Sequence, residues 1–217
     1  EFLQACALIH DDVMDASDTR RGNPSVHKQF EALHTQNNWL GSGALFGEGA
    51  AILVGDLALS WADEMLLTSG INSAQTHRAK AVYDIMRTEL MSGQYLDLLE
   101  QVRGQITQER AETVIRYKSA KYTIERPLHM GAAIADASLE LMTSLSGYGL
   151  SLGEAFQLRD DLLGVFGEPS VTGKPAGDDL REGKQTMLIA FAYSNATAAQ
   201  CSLLTKHLGS NNISPNE

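Results

Sequence analysis

The sequence predicts an all-α protein, and three observations support this. Several long stretches carry apolar residues at spacings of three and four, the pattern of a helix with one buried face. Runs of alternating β-branched residues, which would indicate strands, are few. The chain contains only 5 prolines in 217 residues, so little interrupts its helices. Because no linker, repeat or low-complexity tract divides this length, we predict a single domain over residues 1–217.

The predicted elements are bounded by glycine, proline or polar residues. Helices are predicted over 3–16, 47–59, 74–102, 107–135 and 139–166, with shorter ones after 183 to about Leu208. Pro127 should kink or end the fourth of these helices. Two stretches are predicted as loops: 17–39, which is polar and contains Gly22-Asn23-Pro24, and 167–183, which is rich in glycine and proline.

Composition limits the classes of partner. A formal charge of -10 and a pI near 5.0 argue against nucleic acid and anionic membrane surfaces, so an anionic ligand would need a metal ion or local Arg and Lys. The most apolar stretch, 44–61, contains Glu48 and Asp56, which indicates a buried helix and not a transmembrane segment. Cys6 and Cys201 match neither a zinc spacing nor a disulfide framework, which favours the reducing cytoplasm.

Three carboxylates and two guanidiniums occur together around the end of the first predicted helix. Asp11 and Asp15 stand i,i+4 on one helix face, about 6 Å apart along the axis, with Asp12 beside them. These three residues, the first acidic set, repel one another unless a cation binds, and Mg²⁺ suits them because it takes hard oxygen ligands and shares its shell with substrate phosphates. The next loop supplies Arg20 and Arg21, whose planar forks suit phosphate oxygens.

A second acidic set, Asp160 and Asp161, lies near the C-terminal end of an otherwise apolar helix. One such pair alone is commonly a solvated helix edge. Two sets on separate helices of an all-α chain, each beside an Arg- or Lys-bearing loop, could instead hold a diphosphate between them through several Mg²⁺ ions. The two sets together therefore predict a diphosphate ligand.

Several motifs follow one another along nearly the whole chain. They are His10-Asp11-Asp12-Val13-Met14-Asp15, Arg20-Arg21-Gly22-Asn23-Pro24, Gly93-Gln94-Tyr95-Leu96-Asp97-Leu98, Tyr117-Lys118-Ser119-Ala120-Lys121-Tyr122, Phe156-Gln157-Leu158-Arg159-Asp160-Asp161, and Gly173-Lys174-Pro175 leading to Asp179 and Lys184. In this order they resemble the trans-isoprenyl diphosphate synthases, or polyprenyl synthetases, and among these the bacterial geranylgeranyl diphosphate synthases. A lone Asp-Asp-x-x-Asp is a weak signal, whereas the ordered set is specific.

The resemblance implies a helical isoprenoid-synthase bundle with a central active-site cavity, assembled as a homodimer. It implies a Mg²⁺-dependent prenyltransferase, with three ions per site, that condenses isopentenyl diphosphate with dimethylallyl, geranyl or farnesyl diphosphate. The allylic diphosphate ionises, the double bond of isopentenyl diphosphate attacks the cation, and a proton is lost. Such a reaction needs charge stabilisation and no side-chain nucleophile.

The resemblance also implies a role for each matched residue. Both acidic sets would bind Mg²⁺, from opposite walls of the site. The diphosphate ligands would be Arg20 on the allylic substrate, Arg21 on isopentenyl diphosphate, and the three lysines Lys118, Lys174 and Lys184. The polar groups near the reacting carbons would be Gln94, Ser119 and Gln157.

The chain departs from the family pattern in three ways. Gly164 stands where many members have the third Asp of the second motif, so metal binding there would depend on Asp160 and Asp161. Ser119 replaces the commoner Thr and keeps the hydroxyl. Family members extend further at both ends, which implies that these 217 residues are an internal fragment, inactive alone.

Two small residues suggest the product. Cys6 and Ala7 lie about one turn before Asp11, where the family sets product length, and a small pair leaves the pocket open. We therefore expect a product longer than fifteen carbons, with geranylgeranyl diphosphate favoured.

Two alternatives belong to other classes. A class I terpene cyclase would carry Asn and Ser ligands in its second metal motif, in place of Asp160 and Asp161. A non-catalytic partner subunit would often lack aspartates of the first acidic set, all of which are present here.

Overall fold

The computed structural model describes residues 1–168 and 177–210, and in these residues all regular secondary structure is helical apart from one very short hairpin. The all-α prediction is confirmed. The described residues form two compact units, the first over 1–70 and the second over 71–168 and 177–210. The prediction of one domain over 1–217 stays a prediction.

The first unit contains three helices and the hairpin. Its elements are α1 (Phe2–Met14), β1 (Thr19–Arg20), β2 (Asn23–Pro24), α2 (Val26–Gln36) and α3 (Gly43–Leu67). The two strands pair antiparallel, with Arg20 opposite Asn23. The predicted loop over 17–39 is therefore wrong in part, because α2 occupies nearly half of it. The fully buried side chains of α2 are His27 and His34, and Phe30 between them is only half-buried against Phe46 of α3, so polar residue types make up most of the inward face.

The most apolar helix, α3, packs within its unit through its smallest residues. A Cβ at Gly47 would overlap the backbone of His27, and one at Gly55 would overlap the ring of His10. By length and composition alone α3 could cross a membrane: its most apolar 18-residue window has a mean hydropathy of 1.4, and 22% of that window is buried. The prediction of a buried helix over 44–61 is therefore wrong, because glycine and alanine face inward while larger apolar side chains such as Leu53 are exposed.

The second unit consists of helices of very different length. In chain order they are α4 (Ser73–Arg103), α5 (Gln108–Val114), a π-helix (Ile115–Glu125), α6 (Arg126–Ile134), α7 (Leu139–Phe166), α8 (Asp178–Arg181), α9 (Met187–Asn195) and α10 (Ala198–His207). The predicted helix over 107–135 is thus present as three consecutive segments without a break: α5, the π-helix and α6. Pro127 lies in the first turn of α6, directly after the π-helix, so the helix changes type next to the proline and does not end there.

Glycines on two neighbouring helices let the π-helix come very close. A Cβ at Gly93 on α4 would overlap the backbone of Lys118, and a Cβ at Gly153 on α7 would overlap Ala120. A third glycine, Gly149, lies against the backbone of Glu125 in the same way. The π-helix, which carries two predicted site residues, is therefore held from both sides by close contact, and π-helical segments are rare and frequently occur at functional sites.

Candidate active site

The first acidic set lies at the C-terminal end of α1, as predicted. Asp12 is buried, with 3% of its surface exposed, and accepts hydrogen bonds from Arg20 through Nε, at 3.0 Å, and through Nη2. Asp11 Oδ2 lies 3.6 Å from Arg20 Nη2. Asp15 is the C-cap residue of α1, and its N–H donates to the Asp11 carbonyl at 2.8 Å. One guanidinium therefore lies close to the carboxylates of both Asp11 and Asp12.

The two predicted diphosphate-binding arginines occupy different surroundings. Arg20 lies on β1 and turns back toward α1, whereas Arg21 is exposed at the hairpin turn with a φ of +53°. The turn is closed by Asn23, whose amide donates to the Arg21 carbonyl at 3.3 Å. Arg21 is therefore the more exposed of the two, and Arg20, whose side chain is 27% exposed, must exchange or share its carboxylates to bind a diphosphate.

The π-helix positions Lys118 and Ser119. Lys118 Nζ donates to Asp97 Oδ2 at 2.6 Å, and Asp97 is buried on α4 with 7% of its surface exposed. Gln94, one turn earlier on α4, is half-buried, and Ser119 is buried. The glycine contact at Gly93 brings the two helices together at this point. The fold thus places an ammonium group beside two of the predicted polar residues within the second unit.

The second acidic set has one exposed and one buried member. Asp160 is exposed, and Asp161 has 6% of its surface exposed. Burial raises the pKa of Asp161 to about 6, with the charges of Asp179 and Asp160 adding to the shift, although a hydrogen bond from Gln157 opposes it. That bond runs from Gln157 Nε2 to Asp161 Oδ1 at 2.9 Å, and Asp161 Oδ2 has no hydrogen-bond partner among the described residues.

Of the remaining predicted lysines, only one lies in the described part of the chain. Lys184 follows α8, and its Nζ lies 2.9 Å from Glu182 Oε2 and 4.0 Å from Asp179 Oδ1. Lys174 lies outside the described residues. The structure therefore places Lys184 beside two acidic residues that are close to it in sequence, Asp179 and Glu182.

Two acidic residues near the site were quoted in the motifs without a role. Asp97 pairs with Lys118, and Asp179 lies against α7 at Gly164. A signal for Asp97 was present in the sequence, because it is the single charged residue in the stretch 90–99. The contact of Asp179 with Gly164 joins two elements separated by a loop, and local sequence could not reveal it.

Neither acidic set is a complete metal cage. Within 1–168 and 177–210 no group of three or more His, Cys, Asp or Glu side chains is arranged so that it could hold a metal ion alone. Open carboxylate sites of this kind suit Mg²⁺, which keeps several waters and takes substrate oxygens as further ligands.

Comparison with known proteins identifies the family. The Polyprenyl synthetase family model matches residues 1–217. Geranylgeranyl diphosphate synthase of Saccharolobus solfataricus is 33% identical over 96% of this chain, and geranylfarnesyl diphosphate synthase of Aeropyrum pernix is 34% identical over 90%. The chain spans 58% and 57% of the lengths of these two relatives.

A solved structure agrees with the fold described above. The crystal structure of geranylgeranyl pyrophosphate synthase from Corynebacterium glutamicum, complexed with isoprenyl diphosphate and magnesium, matches with a TM-score of 0.94 and 48% identity. The match covers 99% of this chain and 61% of that one. The resemblance seen in the motifs is thereby confirmed, and the chain belongs to the polyprenyl synthetase family, the trans-isoprenyl diphosphate synthases.

Proposed function

We propose that the full-length protein is a short-chain trans-prenyl diphosphate synthase that makes geranylgeranyl diphosphate. The observation that carries this proposal is the match along 99% of the chain, at 48% identity, to a geranylgeranyl pyrophosphate synthase complexed with isoprenyl diphosphate and magnesium. The three aspartates of the first acidic set, the Asp160–Asp161 pair and the Arg20–Arg21 pair support a condensing enzyme over a terpene cyclase or a non-catalytic subunit.

In the proposed reaction the C–O bond of the allylic diphosphate breaks, and diphosphate leaves with the electron pair. The double bond of isopentenyl diphosphate attacks the allylic cation, a C–C bond forms, and the proton lost goes to the released diphosphate. Arg20, Lys118 and Lys184 are the cationic side chains that stabilise charge on the leaving group, and Asp97 orients Lys118 through its 2.6 Å hydrogen bond. Gln94, Ser119 and Gln157 present dipoles to the developing cation.

Magnesium fits the donor set of this chain. Every predicted ligand is a carboxylate oxygen, the hard donor that Mg²⁺ prefers, and the buried Asp161 Oδ2 lacks a hydrogen bond from the described residues. Asp11, Asp12, Asp15, Asp160 and Asp161 would hold three ions. When bound, the ions supply electrostatic stabilisation of the leaving diphosphate. The homodimer and the cytoplasmic location stay predictions.

The decisive experiment supplies the purified full-length protein with Mg²⁺, isopentenyl diphosphate and each allylic diphosphate in turn, and identifies the products by mass spectrometry. We expect a twenty-carbon diphosphate from every starter. Turnover of geranylgeranyl diphosphate to a cyclic hydrocarbon, without consumption of isopentenyl diphosphate, would instead support a terpene cyclase. Absence of any turnover would support the non-catalytic subunit.

A further inference from the structure

One carboxylate on α4 binds two cations five positions apart, one in the π-helix and one directly after it. Glu89 Oε1 accepts hydrogen bonds from Lys121 Nζ at 2.8 Å and from Arg126 Nη2 at 2.7 Å. Glu89 Oε2 accepts from Arg126 Nε at 2.6 Å, so the arginine makes a two-point, charge-assisted contact that fixes geometry as well as charge. The side chains of Lys121 and Arg126 are only 13% and 15% exposed, so water screens these contacts little.

A spacing of five residues brings two side chains together in a π-helix but not in an α-helix. In an α-helix, positions i and i+5 point about 140° apart around the axis. A π-helix instead joins these two positions by its i→i+5 hydrogen bond. Here the N–H of Arg126 donates to the Lys121 carbonyl, which is such a bond. The side chains that meet on Glu89 therefore belong to two residues that a π-helical hydrogen bond joins.

The same face of α4 also holds the part of the π-helix that carries Lys118 and Ser119. Glu89, Gly93 and Asp97 follow one another at spacings of four, so they lie on one face of α4. A Cβ at Gly93 would overlap the backbone of Lys118, and Asp97 Oδ2 accepts from Lys118 Nζ at 2.6 Å. This face of α4 therefore binds the π-helix at both ends, through Asp97 near Lys118 and through Glu89 further along.

Arg126 is also fixed from the side of α6 and α7. Its Nη1 lies 3.2 Å from Nδ1 of His129, a buried residue of α6. Nε2 of the same ring lies 3.1 Å from the Met142 carbonyl oxygen and 3.0 Å from Ser146 Oγ, both on α7. Because arginine can only donate, His129 Nδ1 accepts and Nε2 carries the proton that is given to Met142. The contact with Glu89 thus connects α4 to α7 through Arg126.

Two acids and two bases balance each other in this cluster. Glu125 is buried, and its Oε2 lies 3.6 Å from Lys121 Nζ and 3.9 Å from Arg126 Nη2. Although burial raises it, hydrogen bonds from Arg126 and Lys121 hold the pKa of Glu89 below its ordinary value. Loss of the Glu89 carboxylate would leave two largely buried cations with one acid between them, which disfavours the helical arrangement that keeps them together.

We propose that Glu89 is a positioning residue for condensation, and that it holds residues 115–126 in the π-helical arrangement that directs Lys118 and Ser119 toward the substrates. Glu89 acts through the two cations that it binds and not on the substrates. Because misplacement of a catalytic group by about 1 Å can cost on the order of 10²-fold in rate, the helix type of this segment matters for turnover. The inference rests on the proposed function, in which Lys118 and Ser119 act on the reacting groups.

Two conservative variants of the full-length protein test the effect on rate. Glu89→Gln keeps the side-chain shape without the charge, and Glu89→Asp keeps the charge on a side chain one methylene shorter. We expect kcat to fall by about 10²-fold in Glu89→Gln and about 10-fold in Glu89→Asp. The KM for isopentenyl diphosphate should stay within roughly 3-fold of wild type, as for a change felt only in the transition state. Wild-type kcat in either folded variant would overturn the proposal.

Hydrogen–deuterium exchange measured by mass spectrometry reports on the helix separately from activity. Without the charge of Glu89, the peptide 115–126 should exchange about 10-fold faster than in wild type, because its hydrogen bonds open more often. Wild-type exchange in Glu89→Gln would overturn the proposal. Circular dichroism at the assay temperature verifies that each variant is folded, so a loss of stability alone does not lower kcat. If Glu89→Gln does not fold, both measurements are made on Glu89→Asp, with the same outcomes.

Glu154→Gln is the matched control. Glu154 on α7 also pairs with a cation of the π-helix, since its Oε1 accepts from Arg116 Nε at 2.9 Å. This pair joins α7 to the second residue of the π-helix and spans no i→i+5 turn. Partly exposed ion pairs contribute little, so Glu154→Gln should keep kcat within about 2-fold of wild type. Equal losses of kcat in the two Glu→Gln variants would overturn the proposal, because any charge pair on this helix would then serve.

The two measurements separate this proposal from the proposed function. If the wild-type protein condenses no substrate, but exchange of 115–126 responds to Glu89 and not to Glu154, the proposed function is wrong and Glu89 keeps its role in holding the π-helix. If wild type and Glu89→Gln condense the substrates at the same rate, the inference is wrong and the function stands.

Discussion

The buried carboxylates of the two acidic sets have different hydrogen-bond partners. In the first, the buried carboxylate of Asp12 is paired with the guanidinium of Arg20, which also lies 3.6 Å from Asp11. In the second, the buried carboxylate of Asp161 receives one hydrogen bond from the neutral amide of Gln157, and burial raises its pKa to about 6. The buried carboxylate of one set thus has a hydrogen-bonded counter-charge from its own unit, whereas in the other set the pKa of the buried carboxyl is raised by burial and Lys184 offsets the shift only in part.

This difference indicates what each set requires. A charge-assisted, two-point contact from arginine holds a carboxylate ionised and oriented. A buried carboxylate without such a partner is stabilised either by protonation or by a bound cation. We therefore expect the carboxylates of the first set to be oriented before the ligand binds, and those of the second set to take up their final arrangement when the cation and the ligand bind.

The largest expected effect is on catalysis. Asp11→Ala should lower turnover by on the order of 10³-fold or more, because it removes a group that acts on charge developing in the transition state. The matched control is Asp18→Ala in the same unit, an exposed carboxylate that pairs with Lys28 at 3.2 Å and should keep wild-type turnover. Steady-state assays of the full-length protein test this, and an active Asp11→Ala would refute the metal assignment.

The pairing in the first set can be broken without touching a carboxylate. Arg20→Met leaves the buried carboxylate of Asp12 without its guanidinium partner, which should lower the free energy of unfolding by about 3–5 kcal/mol. Adding Asp12→Asn should restore part of this loss. Urea denaturation measures it, with the exposed Arg21→Met as the control expected to stay within about 0.5 kcal/mol of wild type. Equal losses in both arginine variants would contradict the role given to Arg20.

The raised pKa of Asp161 makes stability depend on pH. The folded state binds the Asp161 proton more tightly than the unfolded state, so between about pH 4 and pH 6 stability falls as pH rises. The full effect is about 3 kcal/mol, present as stability below this window and lost above it. Asp161→Asn should flatten this part of the profile, whereas Asp160→Asn should reduce its slope only slightly, because the charge of Asp160 is a minor cause of the shift. Urea titrations at several pH values measure the free energy of unfolding. If this free energy has the same pH dependence in wild type and in Asp161→Asn, the raised pKa of Asp161 is contradicted.

The smallest expected effect on rate concerns product length. Ala7 lies one turn before the first acidic set on α1, and Ala7→Phe should shorten the product from twenty to fifteen carbons. Turnover should change little because no charged group is altered. Ala32→Phe, on an exposed position of α2, is the control. If Ala7→Phe makes the same products as wild type, position 7 of α1 does not determine the chain length of the product.

Much of the fold followed from helical periodicity. The spacing of apolar residues predicted α7 over 139–166, and the structure has it at Leu139–Phe166. The helix α2 was missed because His27 and His34 form its buried face. The π-helix was missed because nothing local distinguishes its sequence from that of an α-helix, and its contacts with glycines of α4 and α7 are long-range.

The sequence by itself determined the helical class, both acidic sets and the family, because these depend on residue types at local spacings. Only the tertiary structure decided which charges are neutralised. It paired Asp12 with Arg20 and Lys118 with Asp97, left Asp161 buried without a charged hydrogen-bond donor, and brought Asp179 against Gly164. Such pairings depend on which elements pack together, and burial in that packing, not residue type, sets the cost of each charge.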